Sequence, residues 1–217
     1  MSNKVAVILS GCGVYDGSEI YESTLVLLAL DQAGIPYQCM APNVDQMHVI
    51  NHITGEEMQE TRNVLVESAR VARGDIIDIA DAKPDDYAGA IIPGGFGAAK
   101  NLSDFAVAGA DMKVNPAVAE FTQAVHKQKK VVGLICIAPA MAPLLFGEGT
   151  QCTIGNDADT AGAINAMGGD HKDCTVGAYI IDEDKNIVTT PAYMLAGRIS
   201  EAAEGINALV KEVVRRL

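Results

Sequence analysis

The chain has 217 residues, 49% of them apolar and 20% charged, with a formal net charge of -12 at pH 7. That length fits one α/β domain, and the acidity argues against nucleic acid or an anionic membrane as a partner. No apolar run reaches the roughly 18 residues of a membrane span, and MSNKVAVIL enters a strand without the pattern of a signal peptide, so a cytoplasmic protein is expected.

Apolar runs alternate with helical periods, the mark of a parallel sheet with helices on both faces. Residues 5–9 read as a first buried strand, and SGCGVYDGSE leads into a helix over about 18–32, ended by Gly34. A second strand covers 37–40 and stops at Pro42. Residues 44–54 read as a hairpin or irregular excursion, and EEMQETRNVLVESARVA as one amphipathic helix closed by Gly74. Because 43–74 interrupts the β–α alternation, it is expected to be a lobe inserted into a single domain spanning 1–217. Short strands follow near 76–79 and 88–92, then a helix over about 116–127 and a strand through KKVVGLIC. The remainder predicts a strand at 151–154, a helix at 158–167, a hairpin between 178–182 and 187–190, and a long helix from about 192.

Three corners lie at strand ends, where open α/β sheets gather function: 10–17, 93–97 and 136–139. Cys136 stands between a strand and IAPAMAPLLF with no spacer. A side chain on such a corner is pushed out of the sheet toward a helix N-terminus, which favours a thiolate. A buried structural cysteine is the plainer alternative. In IIPGGFGAAKNL, Gly94 and Gly95 let backbone N–H groups form an oxyanion hole, or simply turn the chain onto the next helix; the sequence leaves both open. The spacing matches neither a dinucleotide fingerprint nor a phosphate loop, and no cofactor is expected.

The other cysteines, Cys12, Cys39, Cys152 and Cys174, are widely spaced without a C-x-x-C pair, which suits a reducing compartment. The histidines offer little. His48 and His52 would share a helix face only if the excursion were helical, so no metal is expected; His126 and His171 read as solvent-facing. Carboxylates are better placed to trade a proton with sulfur: Asp16, Glu19 and Glu22 lie in or after the first loop, and Glu22 is the one whose helix position turns it toward the site. Glu19 reads as a complement to the helix dipole. Cys12 is a lesser candidate, with no corner to hold it.

With VILSGCGVYDGSEI, VINHITGE, ETRNVLVE, IPGGFGAAKNLS, CIAPAMAP and VTTPAYMLA in view, the chain resembles the PfpI-like branch of the class I glutamine-amidotransferase-like superfamily. Within it, the chain is similar to the ElbB-like (enhancing-lycopene-biosynthesis) proteins, essentially from end to end. The resemblance implies a flavodoxin-like three-layer α/β/α sandwich with Cys136 as nucleophile and Glu22 as its hydrogen-bonding carboxyl. It also implies oxyanion amides from Gly95 and Ile137, and a homodimer. Ile137 stands where PfpI-type peptidases carry histidine, Gly155 or Asn156 where the deglycase branch does, and the later His-x-Glu pair of glutaminases is missing. A Cys–Glu pair is what remains.

The function expected from this is a cofactor-free glyoxalase acting on a small dicarbonyl, glyoxal or methylglyoxal. Cys136 adds to the aldehyde, Gly95 and Ile137 hold the oxyanion, Glu22 moves a proton, and water releases the hydroxy acid. In this family that activity is also read as deglycation of early adducts on amines. The rival is a redox-sensing or regulatory protein whose reactive Cys136 meets oxidant without turnover. A third reading, from the fold alone, is an amidase subunit completed by a partner.

Overall fold

The computed structural model describes residues 4–217. Strand β1 (Val5–Ile8) runs up the middle of the sheet, and helix α1 (Ile20–Gln32) returns the chain to β2 (Tyr37–Ala41). After the excursion come α2 (Val64–Val71), β3 (Ile76–Asp78) and β4 (Gly89–Ile92). Two short helices follow, α3 (Phe96–Lys100) and α4 (Phe105–Ala108), then α5 (Pro116–Lys127) and β5 (Val131–Ile135). The last part holds α6 (Ala142–Phe146), β6 (Gln151–Cys152), α7 (Ala158–Ala166), β7 (Asp170–His171), the β8 (Ile180–Asp182) and β9 (Ile187–Thr190) pair, and α8 (Ile199–Arg215).

The main sheet has seven strands in the order β3-β2-β1-β4-β5-β9-β8, all parallel except β8. This is the expected flavodoxin-like α/β sandwich. The central strands are buried on both faces, as a doubly covered parallel sheet demands. In β1, Val5 and Val7 join Val26 and Leu30 of α1 and Leu209 and Val213 of α8 in one layer. Ala6 and Ile8 face the other layer, with Val118, Phe121 and Val125 of α5. The strand-to-strand register carries this through: Val5 lies beside Tyr37 on one side and Gly89 on the other.

Several boundaries differ from expectation. Only the end of the long helix expected over 56–72 forms. Asn63 sits extended and caps α2 by accepting the Val66 N–H at 3.0 Å, so the helix starts there. The chain before it makes isolated bridges instead, Asp45 with Asn63 and Ile50 with Glu57. The strand expected at 151–154 is two residues long and pairs with β7 in a separate two-stranded sheet. The C-terminal helix starts at Ile199, not near 192. Ala192–Met194 forms a tight 3₁₀ turn, and Ala192, at φ 41°, breaks the helical path. Among the described residues, no helix is long and apolar enough to cross a membrane.

Candidate active site

β1 and β4 are neighbours whose connections leave in opposite directions, so a crevice opens beyond their carboxyl ends. The three corners meet there. Cys136 comes directly after β5 with φ 64°, a left-handed conformation costly for a residue with a side chain, and its N–H donates to Thr190 O at 2.9 Å. Neighbouring strand and turn thus hold the sulfur in one direction. The chain beyond Ile137 is less helical than the sequence implies: a 3₁₀ turn over Ala138–Met141, then the five residues of α6. No long macrodipole points at the thiol. Two single amides take that role instead, the N–H groups of Gly95 and Ile137, both hydrogen-bonded to the sulfur.

Glu22 arrives from the first turn of α1 and is 0% exposed. Its Oε2 accepts the Gly94 N–H at 2.9 Å and its Oε1 accepts the Tyr193 N–H at 3.2 Å, while the Cys136 thiol hydrogen-bonds the same carboxyl. Gly94 permits this approach. A Cβ there would collide with Cys136 Cβ and lie 2.8 Å from Glu22 Oε2.

Burial is the largest influence on both groups. It lifts the Glu22 carboxyl to about 7 against the downward pull of the Tyr193 N–H, and the Glu19 charge pushes it further up. The thiol is also lifted, first by burial and then by the Glu22 carboxylate beside it, while the Gly95 and Ile137 amides draw it down. The thiolate expected at this corner is therefore not the resting form. The pair rests as a thiol hydrogen-bonded to a carboxyl that changes charge near neutrality, a proton relay already in contact with the nucleophile.

A raised carboxyl stabilises the fold at low pH, below its unfolded value of 4.5, and that contribution disappears as pH rises through about 7. Between those limits the wild type is expected to lose about 3 kcal/mol from this group. Glu22→Gln abolishes the loss. Its amide also meets two N–H donors with one oxygen, which costs about 1–3 kcal/mol at every pH. Denaturant melts of both proteins at pH 4.5 and 7.5 check this; equal pH dependence in the two contradicts it.

A cavity of about 430 Å³ opens above the sulfur, with Val14, Phe96, Phe105 and Met194 forming an apolar wall and Glu19 standing at its polar side. Cys136 is 7% exposed, and this cavity is its access to solvent. The structure thus brings Cys136, Glu22, Gly95 and Ile137 together. Cys12 it places elsewhere: the charges around that thiol are Glu67, Arg70 and Asp16, on the side of α2 and the excursion. Asp16 is buried and accepts the Ile50 N–H at 2.7 Å, tying the first loop to the excursion.

The histidines stay apart from the site. His52 accepts the Tyr15 N–H through Nε2, and among the described residues no cluster of His, Cys, Asp or Glu is arranged to hold a metal. His126 is half-buried with its ring against Phe146. The His171 side chain, expected to be solvent-facing, is 3% exposed and accepts the Ile154 N–H through Nε2. Its place in β7 buries it, a pairing that two residues of sequence do not reveal.

One contributor escaped the sequence, and one candidate carboxylate has a different place from the one read for it. Tyr193 acts through its backbone, which no residue-type pattern records; the strained Ala192 before it sets that amide on Glu22. Glu19, read as a dipole complement, is the N-cap of α1, accepting the Glu22 N–H at 2.6 Å, and it also lines the cavity. The signal was present in the pair of glutamates three apart at a helix start.

No protein-family model matches the sequence. Curated relatives do. The chain is 44% identical over 221 residues to the mitochondrial ES1 protein homolog of Rattus norvegicus, covering 97% of this chain and 83% of that one. It is equally 44% identical to the mitochondrial glutamine amidotransferase-like class 1 domain-containing protein 3 of Homo sapiens, over 97% and 82% of the two chains. The chain belongs to the ES1 family of class 1 glutamine amidotransferase-like proteins. Among solved structures, this ES1-family chain matches an isoprenoid biosynthesis protein with amidotransferase-like domain from Ehrlichia chaffeensis. The TM-score is 0.92 at 36% identity, over 99% of each chain, which agrees with the ElbB-like resemblance. A glyoxalase III from Candida albicans superposes at a TM-score of 0.61 with 12% identity, covering 99% and 97%; that likeness shows the fold alone.

Proposed function

We propose that the protein is a cofactor-independent glyoxalase that converts glyoxal, and methylglyoxal, to the corresponding hydroxy acid. The observation that carries this is the contact of a strained-corner thiol with a buried carboxyl lifted to about 7, under an open cavity. The sulfur adds to one carbonyl carbon and its proton passes to Glu22. The oxygen of the new carbinol then takes the Gly95 and Ile137 N–H groups, which the addition frees from sulfur. Transfer of the carbinol carbon's hydrogen, as a proton, to the neighbouring carbon gives a thioester of glycolate. Water then cleaves the carbon–sulfur bond, and Glu22 returns a proton to sulfur. No oxidant is consumed, since one carbon is oxidised as the other is reduced.

The missing histidine is compatible with this chemistry because no amine has to be protonated as it leaves. A redox sensor asks for an exposed thiol of low pKa. Here burial and Glu22 hold the thiol up, which favours turnover on an electrophile that the site can bind. Incubation with glyoxal and with amine-borne early adducts, followed by product identification, tests the reading and separates glyoxalase from deglycase. Glycolate from free glyoxal supports it. A peroxide-selective single-turnover response without glycolate overturns it in favour of sensing.

Compartment and assembly are proposed with it. Five free cysteines suit the cytoplasm, while the named relatives are mitochondrial; the chemistry needs only a reduced Cys136. A homodimer is proposed from the habit of the superfamily, and sedimentation velocity tests it.

A further inference from the structure

Glu19 and Glu22 lie one turn apart at the start of α1, and the fold treats them differently. Glu22 is 0% exposed, with both oxygens held by backbone N–H groups and the thiol beside it. Its reachable partner is sulfur. Glu19 is 8% exposed and lines the cavity together with Cys136, Gly95 and Ile137. It is also fixed: its Oε2 accepts the Glu22 N–H at 2.6 Å, and its own N–H donates to Gly94 O at 2.9 Å.

Glyoxal conversion needs proton transfers of two kinds. One concerns sulfur. The other concerns the substrate carbons and the hydrolytic water, and it needs a group inside the cavity. The other acid at the cavity edge, Asp157, accepts the Thr160 N–H at 2.8 Å as the cap of α7, and hydrogen bonds from Thr160 hold its carboxyl below the usual range. That makes it a poor proton carrier near neutrality.

We propose that Glu19 is the catalytic acid–base that works on the substrate, with Glu22 serving the sulfur; this rests on the glyoxalase reading above. The Glu19 carboxylate takes the proton from the hemithioacetal carbon, and the electron pair moves into the neighbouring carbonyl to give an enediolate. Glu19 returns the proton to the second carbon as the first becomes the thioester carbonyl. It then takes a proton from the attacking water, and the carbon–sulfur bond breaks with the electron pair leaving on sulfur. Burial pushes the Glu19 carboxyl up, in the direction this duty requires.

The test compares wild type, Glu19→Gln and Glu19→Ser with glyoxal as the probe. Glutamine keeps an acceptor for the Glu22 N–H, and serine is a favoured N-cap, so at least one variant keeps α1 capped. Three quantities are read: glycolate formed, intact mass, and the pH profile of Cys136 alkylation by iodoacetamide, mapped by peptide mass. The expected result is a fall in glycolate of about 10²–10⁴-fold. Protein carrying one glyoxal on Cys136 should accumulate, and the alkylation profile should move only by the downward shift at Glu22 that loss of the neighbouring Glu19 charge brings, with Cys136 still reactive. Glycolate within a few-fold of wild type overturns the assignment and leaves the glyoxalase reading standing. An alkylation rate at the assay pH that falls as far as turnover does also overturns it, because Glu19 would then act only through sulfur. A wild type that alkylates at Cys136 but makes no glycolate overturns the glyoxalase reading, and this assignment with it.

Discussion

Cys136→Ala is expected to lower glycolate formation from glyoxal by about 10⁴-fold or more, the scale on which losing a nucleophile stops an enzyme that works through it. No other thiol can take over. Cys12 faces α2 and the excursion, Cys174 is not among the residues that line the cavity, and Cys39 and Cys152 are buried thiols lifted to about 12. Cys136→Ser is expected to fall nearly as far. A hydroxyl is a much weaker acid than a thiol, and a carboxyl near 7 cannot deprotonate it to a useful extent. The fold should survive both changes, because the left-handed turn at Cys136 is held by the Thr190 carbonyl and not by the sulfur. Circular dichroism at wild-type amplitude together with lost turnover is the predicted pair of results. If the alanine variant keeps more than a tenth of wild-type turnover, the covalent route is wrong.

The sheet was legible because its strands are short apolar runs bounded by Gly, Pro and helical periods, and that pattern survives without any knowledge of neighbours. Cys136 was legible for the same reason: KKVVGLIC ends a buried strand, and nothing separates it from the next turn. The site's protonation state was not legible. A strand-to-helix corner predicts a helix dipole on the sulfur, but the chain after Ile137 forms a 3₁₀ turn and five residues of helix. Burial among strands distant in sequence then sets the thiol's acidity, and burial of that kind is a property of the assembled sheet. The same limit explains Tyr193. Its contribution is an N–H that reaches Glu22 across 171 positions of sequence, and any residue other than proline would supply it there. The helix expected over 56–72 failed for a local reason. Asn63 competes with the helix by capping it, and the sequence before it, although periodic, is drawn into bridges with the excursion.

Gly94→Ala is expected to cost turnover at least about 10²-fold and stability about 1–3 kcal/mol, the usual penalty for overpacking a filled interior. The added methyl would overlap Cys136 Cβ and lie 2.9 Å from Sγ and 2.8 Å from Glu22 Oε2, so it enters the space between nucleophile and proton carrier. Neither partner can move cheaply. Cys136 is fixed by its turn, and Glu22 by two backbone N–H groups, one of which belongs to Gly94 itself. The backbone at Gly94 is not left-handed, so alanine is unstrained there and the whole penalty falls on the Cys–Glu contact. Gly34→Ala is the control. Gly34 has φ 68° at the end of α1 with nothing near its missing Cβ, so alanine there should cost about 1–2 kcal/mol of backbone strain and leave turnover intact. For a chain of this length, 1 kcal/mol shifts Tm by about 2–4 °C, so both losses are readable in a thermal melt. Stability should then fall in both variants, and turnover only in Gly94→Ala. Full activity in Gly94→Ala would mean that the thiol does not need its carboxyl in contact, and the proton relay would have to be sought elsewhere in the cavity.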